Sequence, residues 1–310
     1  MKVYHNLHDY RPHRPTVVTT GTFDGVHQGH RRIMARLRRA AQERQTESVV
    51  ITFWPHPRLV LGQPVELLNT IEEKIEHISQ EGIDTLIMLP FTEEFARLMP
   101  IEYIEKVYVQ GVHAGLIVIG YDHHFGYRRQ GNIRLLQQVA PRYGFEVEEI
   151  PAQEVDDITV SSTKIRKALK EGNVELANQL LGYAYTLSGT VVHGDKIGRT
   201  LGFPTANLHI DAAYKLIPAA GIYAAYASGE QFERKAALVY IGTRPTLGKE
   251  QSRPNIEVFL LNFTGELYEA PLRVELLKKL RDDQKFDSLE SLRHQIQKDY
   301  QEAISFFNAL

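Results

Sequence analysis

The feature that most constrains the fold of this chain is a change of periodicity near residue 183. Before it, β-branched runs at 16–20, 48–53, 85–89, 116–120 and 145–150 alternate with helical patterns at 29–44, 71–81, 100–109 and 132–143. That β-α-β order predicts an α/β domain with a doubly wound parallel sheet. Ser161-Ser162-Thr163 then announces a helix that runs to the Gly172-Asn173 stop signal, and a short helix follows at 174–181. From Tyr183 the strands at 186–192, 221–228, 236–241, 256–261 and 267–276 have no helices between them, which predicts a small antiparallel β-barrel. A closing helix starts near Asp287. There Asp287 and Glu290 have the spacing of a capping box, and Leu289, Leu292, Ile296, Tyr300, Ala303 and Phe307 form an apolar stripe suited to core packing. The expected domains are 1–182 and 183–310.

Composition narrows the chemistry. A chain of 310 residues can bury two cores without staples. The sequence contains no cysteine, which excludes disulfides, a thiol nucleophile, iron–sulfur clusters and Cys-containing zinc sites. Any metal therefore needs oxygen or nitrogen ligands. No apolar stretch has the length of a membrane span and the first residues lack a signal-peptide core, so a cytoplasmic protein without a membrane partner is expected. The formal net charge of -2 gives no global attraction to nucleic acid. Six arginines between Arg31 and Arg44 make one helix basic, but without interleaved aromatics or a nucleic-acid module they read as a solvated face.

The densest cluster of chemical residues is GTFDGVHQGH, from Gly21 to His30, after a strand and at the start of a helix. Open α/β sheets bind phosphates at that position. Gly21 and Gly25 let the backbone approach a phosphate, while Phe23 and Asp24 lie between them. His27 and His30 are three residues apart and share a face of the first turn, where imidazoles can stabilise charge on an attacked phosphorus. His56 in Trp54-Pro55-His56-Pro57, the segment from Gly120 to Gly126, and Ser161-Ser162-Thr163 follow other strands and should reach the same edge. The serines and threonine suit either a helix cap or a phosphate site, with Lys164 and Arg166 adding positive charge.

A second cluster, His193 to Gly202, places Gly194, Gly198 and Gly202 beside Lys196 and Arg199 in a loop suited to phosphates. Phe203-Pro204 follows, and Thr205 and Asn207 then alternate onto one face, where their neutral oxygens can serve Mg²⁺. Glu257 sits in an apolar strand, either as a solvent-side residue or as an inward-facing base.

The combination of GTFDGVHQGH, FWPHP and SSTKIR resembles the FMN adenylyltransferase module of prokaryotic bifunctional FAD synthetases, within the HxGH nucleotidyltransferase superfamily. HGDKIGRTLGFPTAN, GIYAAYA, GTRPT and IEVFLLNFTGELYE resemble the riboflavin kinase domain. The resemblance implies ATP-dependent phosphorylation of riboflavin to FMN, then adenylylation of FMN by ATP to FAD with release of pyrophosphate. It implies ATP phosphates on His27, His30 and the Ser161 to Arg166 segment, nucleotide phosphates on Gly194 to Gly202, Mg²⁺ on Thr205 and Asn207, and Glu257 as general base. His56, Asp122, Phe125 and Phe203 are expected on the substrate side, and the C-terminal helix over the flavin. The family usually has an aromatic ring where this chain has His123, so the alternative is a riboflavin kinase with weak or redirected adenylyl transfer.

Overall fold

A computed structural model describes residues 1–121, 123–150, 160–194, 198, 201–242 and 254–310. The chain forms two compact units, Met1–Ser162 and Thr163–Leu310.

The first unit carries a six-stranded sheet, all of whose ladders are parallel, in the order β1-β4-β3-β2-β5-β6. These strands are β1 (Lys2–Tyr4), β2 (Thr16–Thr20), β3 (Ser48–Trp54), β4 (Thr85–Pro90), β5 (Ala114–Gly120) and β6 (Glu146–Ile150). β1 escaped the sequence reading because three residues carry no periodicity. The four central strands alternate between two buried faces, as a doubly wound sheet requires, while the edge strands β1 and β6 are partly exposed. Val17, Val50, Leu86, Leu116 and Val118 pack with Met34 and Leu37 of α1 (Gln28–Glu43) and with Ile78 of α3 (Ile71–Gln80). Val18, Ile51, Ile87, Ile117 and Ile119 face the opposite cluster, with Leu136 and Ala140 of α6 (Ile133–Tyr143). Strand order reverses between β2 and β5, so a crevice is expected at their carboxyl ends.

Short helices α2 (Pro57–Val60), α4 (Glu93–Ala96) and α5 (Pro100–Tyr103) surround that edge. The stretch expected to continue as one α-helix to residue 109 instead widens into a π-helix over Ile104–Gly111. Gly111 closes it at a position where a Cβ would meet the Lys106 carbonyl oxygen and Leu7 at 2.8 Å. This register brings both Tyr103 and Tyr108 into the core.

The second unit opens with α7 (Ser162–Lys170), whose first residue belongs to the first unit, and α8 (Val174–Leu181). It then closes a six-stranded antiparallel barrel in the order β10-β11-β8-β7-β12-β9. Its strands are β7 (Tyr185–Val192), β8 (Ala206–His209), β9 (Gly221–Gly229), β10 (Phe232–Gly242), β11 (Asn255–Leu260) and β12 (Pro271–Asp282). β8 was not anticipated. β12 starts later than residue 267 because a turn with Glu269 at φ 63° precedes it.

α9 (Leu289–Asn308) begins one residue later than its expected signal. Its cap is Ser288, not Asp287: the Ser288 hydroxyl accepts from the Ser291 amide at 3.1 Å, so Ser288 and Ser291 replace the predicted Asp287–Glu290 box. Tyr300, Ala303, Ile304 and Phe307 pack on Leu238 and Leu261, whereas Leu289 at the other end of the stripe is exposed. The buried Asp299 carboxylate receives both arms of Arg281 at 2.8 Å and ties the helix to β12. Such a two-pronged, charge-assisted pair adds directional restraint to the apolar contact.

Candidate active sites

The loop between β2 and α1 is tightly wound. Phe23 and Val26 have φ of 46° and 35°, in the left-handed region that side chains avoid, and Gly25 lies between them at 86°. The surroundings impose that shape. Phe23 and Val26 are buried in the core, the Leu68 amide donates to Asp24 Oδ1 at 2.8 Å, and the Ser162 hydroxyl donates to the Asp24 carbonyl at 2.9 Å. The last contact brings the start of the SSTKIR segment onto the GTFDG loop, which sequence placed only at a common sheet edge. At Gly21 a Cβ would sit 3.0 Å from the Phe23 ring.

His27 caps α1, its Nδ1 accepting from the His30 amide at 3.4 Å. The two imidazoles stack with centroids 3.6 Å apart, and Phe23 meets His30 edge-on at 5.2 Å. His30 Nδ1 is buried and, among the described residues, has no hydrogen-bond partner. Burial, followed by the neighbouring His27 and Lys74, holds the His30 pKa well below the ordinary histidine range. His30 is therefore uncharged near neutral pH, at a helix start where backbone N–H groups and the helix dipole favour an anion.

Of these residues, Gly21, Phe23 and His30 border a cleft of about 1040 Å³ at the carboxyl edge of the sheet, whereas His27 is buried and is not among its lining residues. Thr20, Gly21, Phe23, His30, His123 and Phe125 are among its lining residues, with Arg58, Arg97, Arg128 and Arg129 adding positive charge. His56 is buried, and its Nδ1 accepts from the Arg58 amide as a helix cap, so Pro57 and Arg58 supply the cleft surface there. Asp122 lies outside the described residues. His123 keeps aromatic packing, with its ring 5.7 Å from Phe125, and its Nε2 lies 3.5 Å from the Tyr108 hydroxyl. Ser161 and Ser162 are half-buried, while Thr163 and Arg166 lie on the part of α7 that belongs to the second unit.

The arginines of α1 are largely consumed within the first unit. Arg31 pairs with Glu81, Arg36 with Glu148, Arg39 with Glu43 and Arg44 with Glu146, while Arg38 donates to the Glu81 carbonyl. Most of the basic run therefore has carboxylate or carbonyl partners inside the first unit.

In the barrel, β11 alternates Ile256, Val258 and Leu260 into the core and Asn255, Glu257 and Phe259 onto the other face. Glu257 is thus half-buried outside the barrel core rather than pointing into it. It stands opposite Asn207 in the β8–β11 ladder. Thr205 Oγ1 donates to its Oε2 at 3.0 Å, and Asn255 Nδ2 donates to its Oε1 at 2.7 Å. Gly194 presses on the same group: a Cβ there would lie 2.2 Å from Asn207 Nδ2. Gly198 accepts at its carbonyl from the Leu201 and Phe203 amides, and Gly202 adopts φ 87°. Lys196 and Arg199 lie outside the described residues. His193 stacks on Tyr268 at 4.0 Å.

Beside this cluster is a second cavity of about 480 Å³, walled by Phe203, Phe259 and Tyr300, with ring centroids 5.5 to 6.4 Å apart. Arg293 and Gln297 of α9 also line it. Sequence reasoning missed these two residues, since a helix read for its apolar stripe gives no weight to its polar flank. Lys74 was missed too, although it interrupts the Ile71, Ile75 and Ile78 stripe of α3, where a lysine must be buried.

A family model described as FAD synthetase matches residues 9–164, and one described as riboflavin kinase matches residues 181–307. The bifunctional riboflavin kinase/FMN adenylyltransferase of Bacillus subtilis (strain 168) is 38% identical over 322 residues, covering 100% of this chain and 99% of that protein. The chain belongs to the bifunctional riboflavin kinase/FMN adenylyltransferase family. The Escherichia coli (strain K12) member of this family is 34% identical, with 99% of this chain and 98% of that protein covered. A solved structure described as a macrolide-efflux protein from Streptococcus pneumoniae superposes with a TM-score of 0.85 at 30% identity, covering 96% of this chain and 97% of that one. Among the described residues of this chain, no helix is long and apolar enough to cross a membrane. The two halves of the family thus coincide with the two architectures, parallel sheet and barrel.

Proposed function

We propose that the chain phosphorylates riboflavin to FMN with ATP in its barrel unit and adenylylates FMN to FAD with a second ATP in its sheet unit, acting in the cytoplasm. The observation that carries the reading is the Glu257 carboxylate, held between Thr205 and Asn255 and facing Asn207, beside an aromatic-walled cavity. A carboxylate so placed takes the proton of the riboflavin 5′-hydroxyl as that oxygen attacks the γ-phosphorus of ATP, and ADP leaves. Phe203, Phe259 and Tyr300 offer apolar faces to a planar ring system. The Gly194 to Gly202 loop holds the nucleotide phosphates.

A hydroxyl oxygen and an amide oxygen beside a carboxylate suit a hard cation that keeps most of its coordination for water and phosphate. Gly194 leaves room for the Asn207 amide that a larger residue would fill. Thr205 and Asn207 would hold Mg²⁺, which neutralises charge on the transferred phosphoryl group when bound.

In the sheet unit, a phosphate oxygen of FMN attacks the α-phosphorus of ATP and pyrophosphate leaves. Positioning and charge neutralisation supply the catalysis, with no covalent enzyme intermediate. His27 and His30 donate to the phosphates at the start of α1. Gly21 and Gly25 allow close backbone approach, with Phe23 and Asp24 fixing the turn and Ser161 and Ser162 beside it. Phe125 and His123 face the flavin side of the cleft, together with the segment around His56.

The test is a chromatographic time course of riboflavin, FMN and FAD with the full chain, ATP and Mg²⁺. FMN should rise first and then convert to FAD. Accumulation that stops at FMN would overturn the adenylyltransferase assignment.

A further inference from the structure

Lys74 is a lysine within the apolar stripe of α3. It lies on the inner face of α3 and is 1% exposed. Burying an ammonium group is costly unless polar groups receive it. Two such groups are present. Its Nζ donates to the Thr22 carbonyl at 2.8 Å, and the Asp24 carboxylate lies near enough to favour its charged form. Burial still dominates and moves its pKa down to about 8, while its charge in turn disfavours protonation of His30.

The Thr22 carbonyl is the last one before the strained Phe23 to Val26 turn, and it accepts a second bond from Thr52 Oγ1 at 3.2 Å. Left-handed φ values at two non-glycine residues persist only where the surroundings over-determine them. Lys74 and Thr52 hold one end of that turn from beneath, while the Leu68 amide and Ser162 hydroxyl hold its middle. The buried cation is thus fixed against the loop that leads to His27 and His30, and it is not among the residues that line the cleft.

We infer that Lys74 is a positioning residue for adenylyl transfer, clamping the Thr22 carbonyl so that the Gly21 to His30 loop keeps its phosphate-binding shape and meets the triphosphate with a fixed positive charge behind it. The inference rests on the proposed adenylyltransferase site, but not on any role of Lys74 in contact with substrate. A purely structural lysine would affect how much enzyme is folded; a positioning lysine alters how folded enzyme handles ATP.

The experiment compares the unsubstituted full chain with Lys74→Met, which keeps the stem and removes the ammonium group. FAD formation from FMN should fall at least tenfold, KM for ATP in that reaction should rise at least fivefold, and KM for FMN should stay within twofold. FMN formation from riboflavin in the same preparation should be unchanged. An unaltered KM for ATP, whatever the rate, would overturn the inference. Lys74→Met could prevent the first unit from folding, detected as loss of its thermal transition. Thr52→Val then supplies the decision, because it removes the other donor to the same carbonyl without moving a charge. It should raise KM for ATP about two- to threefold, and no rise overturns the clamp. If the unsubstituted chain forms no FAD, the adenylyltransferase reading falls and the inference with it. If that chain forms FAD and both variants bind ATP normally, only the inference falls.

Discussion

Thr205 Oγ1 donates a 3.0 Å hydrogen bond to Glu257 Oε2, joining the residue just before β8 to the middle of β11 across the barrel ladder. The bond ties a group proposed for the cation to the group proposed as base, so that one cannot shift without the other. Their positions are 52 residues apart in sequence. Only closure of the barrel, with β8 next to β11, brings them together.

Glu257→Gln keeps the size of the side chain and can retain the Asn255 contact, but it cannot take a proton. FMN formation should fall by about 10²- to 10⁴-fold, the usual contribution of a general base. FAD formation from supplied FMN should stay within about twofold, since that reaction belongs to the other unit. Rates of the two half-reactions measured separately on one preparation check this, and loss of both in folded protein contradicts the two-site assignment.

His30→Ala should produce the opposite pattern. The imidazole stacks on His27 and reaches the cleft, so its removal takes a donor from the developing charge while leaving the His27 cap in place. Loss of one preorganised donor of this type costs about 10²- to 10³-fold in rate. FAD formation should drop by that amount while FMN formation continues. His27→Ala should in addition lower the thermal stability of the first unit, because the cap of α1 is lost, at about 1 kcal/mol.

Gly194→Ala tests the metal-side geometry without removing any proposed ligand. The new Cβ would lie 2.2 Å from Asn207 Nδ2 and 2.5 Å from its Cγ, so the amide must swing away. Riboflavin phosphorylation should fall at least tenfold, with a higher Mg²⁺ concentration needed for half-maximal rate. A Mg²⁺ titration of FMN formation reads this directly, and an unchanged titration removes Asn207 from the metal site.

The fold was legible because both architectures write strong local patterns. β2 and α8 carry the expected bounds, and most other elements differ by one to three residues. The losses have physical causes. β1 and β8 are too short for periodicity, and the π-helix at Ile104–Gly111 has the same apolar pattern as an α-helix until packing chooses. At the sites, motif residues announced themselves through glycine, histidine and carboxylate spacing. Their supports did not. Lys74, Thr52, Tyr108 and Asn255 come from other elements, and apart from the place of Lys74 in the apolar stripe of α3 nothing local in sequence marks them as supports.

His123 is a histidine among the residues that line the cleft, and its environment has a measurable consequence. Burial, then the positive neighbours His124 and Arg129, push its pKa down to about 4, and its Nε2 faces the Tyr108 hydroxyl. In the unfolded chain an ordinary histidine titrates near 6.5. Between those two values the unfolded state binds more protons than the folded state, so stability rises with pH across that window and is lost as pH falls from about 6.5 toward 4. The full difference amounts to at most about 3 kcal/mol, less whatever solvent screening its half-buried ring allows. His30, whose pKa is also depressed, contributes in the same direction. Replacing His123 by phenylalanine removes this contribution, leaves that of His30 and keeps the ring contact with Phe125. The melting temperature of the first unit should therefore fall less steeply between pH 6.5 and pH 4.5 in His123→Phe than in the unsubstituted chain. Thermal unfolding in matched buffers across that range decides it, and parallel curves would mean that folding does not shift the titration of His123.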